Sequence, residues 1–367
     1  SYGTTGNQGF NTNTAYRMYS KDSWTYYNGQ WMTVYGLMHN QNRDMKWEIK
    51  KEFDVGLDFS LFNRRLNGRM DYFSRKIEDA IYSGIPVASP PAVYATSTVN
   101  IGDITNKGFE FELNGRVVDT KDWTFDTSLV GSFVGKSRLE GMAKDTHMEF
   151  QAMPHGGGSA VRIFGGQEIG RYFLYRFAGV REEDGTPMIY SKDNKVIPYA
   201  SGTDEDRVQT GNGLPKAVLS WNNTVRYRNW DLNLFFRSWL GQDVYNVTDM
   251  IQGVNCKITE GQNLLRTAYR RNKAITNTDR LMLLDYWLEK GDFLKLDAVT
   301  LGYTLPRNKI KYVEKLRCYF TVRNVCTLTG YSGLDPEVNV NGLAPGFEGM
   351  SQYPRTRSFI LGIEIGF

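Results

Sequence analysis

The chain has 367 residues, of which 14% are aromatic (22 Tyr and 20 Phe among them), with 37 Gly, 11 Pro and a formal charge of +4 from 44 basic and 40 acidic residues. The charges are mixed along the chain, which excludes a basic stripe and with it a nucleic-acid partner. No window approaches the roughly 18 consecutive apolar residues of a membrane helix, and the mean hydropathy of −0.46 is that of a polar protein. A barrel with a wet interior and large loops scores the same way, because only alternate strand residues face lipid. The length allows one large all-β unit or two ordinary domains, and the composition favours the first. Ser1 follows neither a Met nor a signal peptide, which predicts a processed or cut chain.

Residues 1–49 are rich in Gly, Asn, Thr and Tyr and read as a long decorated loop, with a hairpin around Trp24–Gly36 turning at Asn28-Gly29. Phe53, Val55, Leu57, Phe59 and Leu61 then alternate with Asp54, Gly56, Asp58 and Ser60, the two-residue period of a strand with one apolar face. A turn at Asn63–Arg65 returns the chain through Leu66, Met70 and Tyr72, alternating with Asn67, Arg69 and Asp71. Residues 79–105 contain Pro86, Pro90 and Pro91 and form a loop. Phe109, Phe111, Leu113 and Val117 oppose Glu110, Glu112, Asn114 and Arg116, and a short turn near Thr120–Asp122 leads to Trp123, Phe125, Leu129 and Phe133.

Residues 137–214 read as mostly irregular, apart from a hairpin of Tyr172–Val180 with Met188–Tyr190 across Asp184-Gly185, which is too short to span and belongs above a membrane. Ala217, Leu219, Trp221, Val225 and Tyr227 form the next strand, and after a turn at Asn229-Trp230, Leu232, Leu234 and Phe236 alternate with Asp231, Asn233 and Arg237. Residues 244–291 form another long segment with a short helix expected over Gln262–Lys273. In the strand Asp292–Leu305 the apolar phase slips near Asp297, which predicts a bulge. A strand ending near Leu328, a loop and a closing strand follow, in which Phe359, Leu361, Ile363, Ile365 and Phe367 share one face. Cys318 and Cys326, eight apart in one extended strand and so roughly 27 Å from each other, are too distant for a disulfide. Cys256 stands alone in a loop.

These make about nine long strands whose connections alternate between short and long, the asymmetry of a bacterial outer-membrane barrel with tight periplasmic turns and large external loops. Nine strands cannot close in a family that uses even numbers, and an open edge in lipid costs several kcal/mol per unpaired backbone group. The expected fold is therefore all-β, the C-terminal portion of a transmembrane antiparallel barrel. Asp54, Asp58, Asp71, Glu110, Glu112, Arg116, Asn233 and Arg237 line its lumen or meet a plug.

SYGTTGNQ at 1–8, KWEIKKEFDVGLDFSLFNRRLNGRMDYFSRK at 46–76, NIGDITNKGFEFEL at 100–113, GNGLPK at 211–216, DFLKLDAVTLGYTLP at 292–306, Arg323-Asn324, GLDPEV at 333–338 and the closing YPRTRSFILGIEIGF occur in one order. Together they resemble the SusC/RagA-type TonB-dependent transporters of the Bacteroidetes outer membrane. The resemblance implies a barrel of about 22 strands, with the plug and first strands absent from this chain. It also implies a SusD-like surface lipoprotein as a lid, energy from TonB–ExbB–ExbD through an upstream segment, and a terminal aromatic strand read by the barrel-assembly machinery. The substrates implied are oligosaccharides or, in some members, peptides.

Tyr82, Tyr94, Tyr190, Tyr286 and Trp287 fall in loops where their rings suit stacking on sugars, packing within the loops being the alternative. His155-Gly156-Gly157-Gly158 looks like an esterase oxyanion motif but has no Gly-x-Ser-x-Gly partner, so it reads as a flexible loop. His39, His147 and His155 lie in loops without metal spacing and read as solvated surface groups. No cofactor is expected; the acidic runs Asp204–Asp206 and Glu182–Asp184 offer oxygen ligands of the kind Ca²⁺ takes, against an ordinary charged loop. No catalytic set is expected, which favours an importer over an outer-membrane enzyme or adhesin on a smaller barrel. The long strands with one apolar face oppose a soluble glycan-binding sandwich.

Overall fold

In the computed structural model, the alternation read from the sequence becomes one antiparallel meander. The structure describes every residue except 8–11, 88, 89, 91, 143–146, 154–157, 256–260, 262, 277–282, 307–312, 351 and 367. The main sheet runs β1 (Tyr2–Gly6), β2 (Ile49–Leu61), β3 (Leu66–Glu78), β4 (Asp103–Asp119), β5 (Trp123–Val134), β6 (Ala217–Tyr227), β7 (Trp230–Leu240), β8 (Phe293–Thr304), β9 (Lys315–Thr329) and β10 (Ser358–Gly366). Each strand pairs with the next in sequence, and the short strand Arg138–Glu140 adds onto β4. Nine of these strands were legible; the tenth, β1, lies within the expected loop and pairs Tyr2 with Phe53 through Gly6 with Ile49. Ten is an even count, yet β1 and β10 are the two ends of the strand order and do not pair with each other.

Register carries the alternation across the sheet. Leu57 faces Met70, Met70 faces Phe111, and Phe111 faces Gly131, which lies opposite Leu219. Farther along, Leu232 faces Leu301, Leu301 faces Phe320, and Phe320 faces Leu361. The result is one continuous apolar face, roughly 43 Å wide at about 4.8 Å per strand, far beyond what a soluble monomer leaves open. Leu57, Phe359 and Leu361 are 61%, 67% and 78% exposed on it. Where β5 to β8 meet the short turns, Trp123, Tyr227, Trp230 and Tyr303 stand side by side on this face. Their ring centroids lie 4.3 Å apart for Trp123 and Tyr227 and 4.8 Å for Trp230 and Tyr303. Rings with one apolar and one polar edge gather where lipid meets water.

The turn after β2 puts Phe62, Asn63 and Arg64 at φ 55, 53 and 66°, and the hairpin Tyr19–Tyr27/Gln30–Leu37 turns at Asn28 and Gly29, φ 48 and 80°. Two successive left-handed residues match the twist of the flanking strands, which is why Asn-Gly marks the turn. The phase slip in β8 is a bulge: Phe235 faces Ala298 while Phe236 faces Leu296, with Asp297 left between.

The buried core does not lie on the sheet but in the long connections. Residues 137–214, expected to be mostly irregular, hold a second sheet of His147–Ala152, Ser159–Phe164, Tyr172–Val180, Pro187–Tyr190, Val196–Pro198 and Arg207–Thr210. The expected hairpin is its centre, and the flanking strands were missed because they are only three to six residues long. Val161, Ile163, Tyr172 and Leu174 pack there with Tyr245, Val247, Met250, Trp287 and Phe347 from later loops. The short helix is Val247–Gln252, not Gln262–Lys273, where the described part is a 3₁₀ turn at Arg266–Tyr269. Asn246 caps the helix by accepting from Asp249 N at 2.8 Å, whereas Asn272 is drawn out of any helix to donate to Gly253 O at 2.8 Å. Cys318 and Cys326 are both free, and Cys256 lies outside the described residues.

Candidate functional site

The face opposite the apolar one carries the charges. All eight residues expected to line a lumen, Asp54, Asp58, Asp71, Glu110, Glu112, Arg116, Asn233 and Arg237, fall on it by register. Arg69 forks onto Asp71 at 2.7 and 3.1 Å, Asn114 donates to Glu112 at 2.7 Å, and Ser132 donates to Glu110 at 3.3 Å. Arg116 reaches Asp126 at 2.8 Å, and Arg226 meets the same carboxylate at 3.3 Å. Asn233 donates to Asn222 and Thr224 at 2.8 and 2.9 Å. Such ladders satisfy the polar groups of a wet wall. Asp71 and Glu110 face each other across β3 and β4, and the repulsion between these like charges is offset by the Arg69 fork on Asp71.

Toward the loop end of β7 and β8 the same face is closed by a charged knot that sequence reasoning missed. Arg237 donates to Asp297 at 3.0 Å and, through its other two nitrogens, to Glu337 at 3.0 and 3.2 Å. Lys295, only 1% exposed, donates to Asp335 at 2.8 Å and Glu337 at 2.9 Å. Arg355 meets the same two carboxylates at 2.9 and 3.0 Å. Three cations thus face three carboxylates, and both ends of the loop 330–357 are pinned into the polar face. Burial alone would push the Glu337 carboxyl up; the hydrogen bonds from Arg237 and Lys295 outweigh it and hold it below the usual carboxylate range. The available signal was Asp335-Pro336-Glu337, two acids flanking a turn residue in the match to 333–338, together with a lysine, Lys295, on the polar set of an otherwise apolar strand.

Of the loop aromatics, Trp287 is corrected: it is fully buried, edge-on to Tyr286 at 4.8 Å, and is core, not a ligand surface. Tyr286 is half-buried against Phe177 at 4.6 Å, with its hydroxyl donating to Asn272 at 2.8 Å. Tyr82 packs edge-on to Phe150 at 5.1 Å, and burial raises its hydroxyl's pKa. Tyr94 and Tyr190 are 42% and 37% exposed; the Tyr94 hydroxyl donates to Leu37 O, and Arg176 sits over the Tyr190 ring at 5.5 Å.

Within the acidic runs, Asp184, Asp204, Glu205 and Asp206 are engaged by protein groups. Asp204 is held by Arg162 and Arg207. Asp206 accepts the backbone N–H groups of Thr203 and Lys192, both at 2.8 Å, which keep its carboxyl low. Asp184 is gripped by Arg181 and then Thr186, which drive its carboxyl far below the usual range. His39 Nε2 lies 3.1 Å from Tyr16 O in a loop. His147 begins a strand instead of lying in a loop. His155 to Gly157 lie outside the described residues. On β10, Phe359, Leu361, Ile363 and Ile365 share the apolar face, with Phe359 stacked on Phe320 at 6.3 Å; Phe367 lies outside the described residues.

A sheet of strands 9 to 17 residues long beyond β1, apolar on one face, charged on the other and joined by alternating tight turns and large loops, defines the wall of an outer-membrane β-barrel. Comparison with known proteins gives the family. Residues 1–325 match the model of the TonB dependent receptor-like β-barrel, and the chain belongs to that family. It is 27% identical over 401 residues to TonB-dependent receptor P3 of Formosa agariphila, covering 100% of this chain and 39% of that protein. It is 26% identical over 358 residues to TonB-dependent receptor SusC of Bacteroides thetaiotaomicron, covering 89% of this chain and 32% of that one. A solved structure of the RagAB peptide transporter superposes with a TM-score of 0.82 at 20% identity, over 100% of this chain and 40% of that chain. The RagAB peptide importer in its open-open state gives 0.76 at 21%, over 100% of this chain and 39% of that chain. The chain thus spans about two fifths or less of the relatives it matches. The apolar face is the lipid face of an outer-membrane protein, and the polar face is the inner one.

Proposed function

We propose that this chain is the C-terminal part of the wall and outer vestibule of a nutrient importer energised by TonB. The observation that carries the reading is the two-faced sheet with its loop layer: Leu57 and Leu361 turned to lipid, Asp58 and Arg237 turned inward, and the loop 330–357 drawn over the inner face by Lys295 and Arg237. Among the described residues, the backbone groups on the outer edges of β1 and β10 have no strand partner, which in lipid supports closure by further strands outside this chain and a plug against Asp54, Asp58, Asp71, Glu110, Glu112 and Arg116. The likeness to SusC and RagAB supports a SusD-like lipoprotein over the loops, coupling to TonB–ExbB–ExbD, and oligosaccharides or peptides as cargo. The closing strand is the segment presented to the barrel-assembly machinery. Selectivity resides in loops and inner-face side chains, and the chain has no role in bond chemistry.

The test is purification from outer membranes in mild detergent, with the full-length mass and co-purifying proteins determined. A polypeptide large enough for about 22 strands and a plug, carrying a surface lipoprotein, is expected. A full-length chain of this size, alone, would overturn the reading and return the smaller-barrel enzyme or adhesin.

A further inference from the structure

On the inner face, where β8 and β9 both slip register, lies an open cavity of about 710 Å³ lined by Phe235, Ala298, Arg323, Asn324, Tyr353 and Arg355 among others. Asn324 makes it: with φ 53° it takes the left-handed conformation that asparagine tolerates, and its amide donates to Arg355 O at 3.0 Å and Thr356 O at 3.4 Å. That holds the segment carrying Tyr353 alongside Arg323.

The charges around the cavity do not balance. The other cations on the inner face of β6 to β10 have carboxylates: Arg226 with Asp126, Arg237 with Asp297, Lys295 with Asp335, Lys315 with Glu364 and Arg317 with Asp231. Arg323 is exposed and, among the described residues, has no carboxylate within 4 Å. Asp297, the acid in the lining, is held by Arg237. The same cavity is lined by two aromatic groups, Phe235, an exception to the polar pattern of the face, and Tyr353, 84% exposed.

We infer that this cavity is a subsite for an acidic sugar, a uronate whose carboxylate pairs with Arg323 while its ring lies against Tyr353 and Phe235. The deduction rests on the importer reading for its route to the ligand and extends it to a substrate class. An arginine fork offers only donors and matches a carboxylate in two parallel bonds; an aromatic face suits the apolar side of a pyranose. A uronate carries its carboxylate on the ring itself, so one residue can fill the guanidinium fork and lie against the aromatic lining together, whereas the acidic side chains of a peptide set no ring beside their carboxylate.

The experiment uses the full-length transporter in detergent, with calorimetric titration of oligogalacturonate and of a neutral oligosaccharide of equal length. The wild type binds the acidic oligomer about tenfold or more tightly, as a charge-assisted pair predicts, and the preference shrinks at high salt. Arg323→Gln abolishes the preference, Arg323→Lys keeps part of it, and Tyr353→Ala weakens the acidic oligomer several-fold while leaving the preference. Equal binding of both oligomers, or a preference unchanged in Arg323→Gln, overturns the site. So does a preference for acidic peptides over the acidic glycan. A lowered melting temperature in Arg323→Gln with unchanged selectivity assigns the arginine to a contact inside the full chain and overturns it as well. Binding is read without TonB, so a lost uptake with the preference retained counts against the importer and supports the site.

Discussion

Replacing Glu337 by alanine should release the loop 330–357 without unfolding the sheet. Glu337 accepts from Arg237 at 3.0 and 3.2 Å, from Lys295 at 2.9 Å and from Arg355 at 3.0 Å. Its loss leaves three cations on two carboxylates, one of them the 1% exposed Lys295. Stripping one partner from a buried ion pair costs about 3–5 kcal/mol. Arg237 and Arg355 keep 23% and 44% of their side-chain exposure and can turn to water, so the lower end, about 3 kcal/mol, is the appropriate magnitude. The sheet's hydrogen bonds are untouched, so the cost appears as local opening. Amide exchange over 330–357 should accelerate about 150-fold, at roughly 1.4 kcal/mol per tenfold, with β7 and β8 unchanged. Unchanged exchange in the loop, or equal acceleration throughout the strands, would refute the role given to the knot.

The same knot sets a pH dependence. Glu337 is held below its ordinary range, so its contribution is complete above the unfolded pKa near 4.3 and is lost as pH falls through the lower folded value; loop exchange should quicken only below about pH 4.3. Asn324→Ala forfeits two bonds to backbone carbonyls and places alanine at positive φ, costing about 2–3 kcal/mol in denaturant titration of the refolded barrel. Leu57→Lys, on the lipid face, should cost about 2–4 kcal/mol in folding into vesicles if it lies near the midplane, whereas Asp58→Lys, its inward neighbour, should cost far less. Trp287→Ala should lower stability of the loop layer by about 3–5 kcal/mol, with ligand affinity changing only in step with that loss.

Alternation made the sheet legible, because a period of two survives wherever one face meets lipid and the other water. It also located the bulge at Asp297, since a slip in phase is visible in Leu294, Leu296, Val299 and Leu301. β1 escaped because Tyr2–Gly6 has only one large side chain and no apolar run. The loop layer escaped for a different reason: strands such as Val196–Pro198 are shorter than any usable period and are fixed by tertiary partners. Trp287 shows the limit for sites. An aromatic residue in a loop offers the same letter whether it faces a ligand or, as here, the core. Lys295 and Glu337 lie 42 residues apart; each stands out in its own stretch, but nothing in the sequence pairs the one with the other.

The central claim is that the two faces meet different solvents, and adjacent residues on one strand test it. In a variant lacking Cys256, Cys318 and Cys326, single cysteines replacing Leu57 or Asp58 would carry a nitroxide in the full-length protein in lipid bilayers. The account predicts that the label at Leu57 collides freely with dissolved oxygen and is shielded from an aqueous nickel complex, with the reverse balance at Asp58. Equal access of the nickel complex to both positions would contradict it.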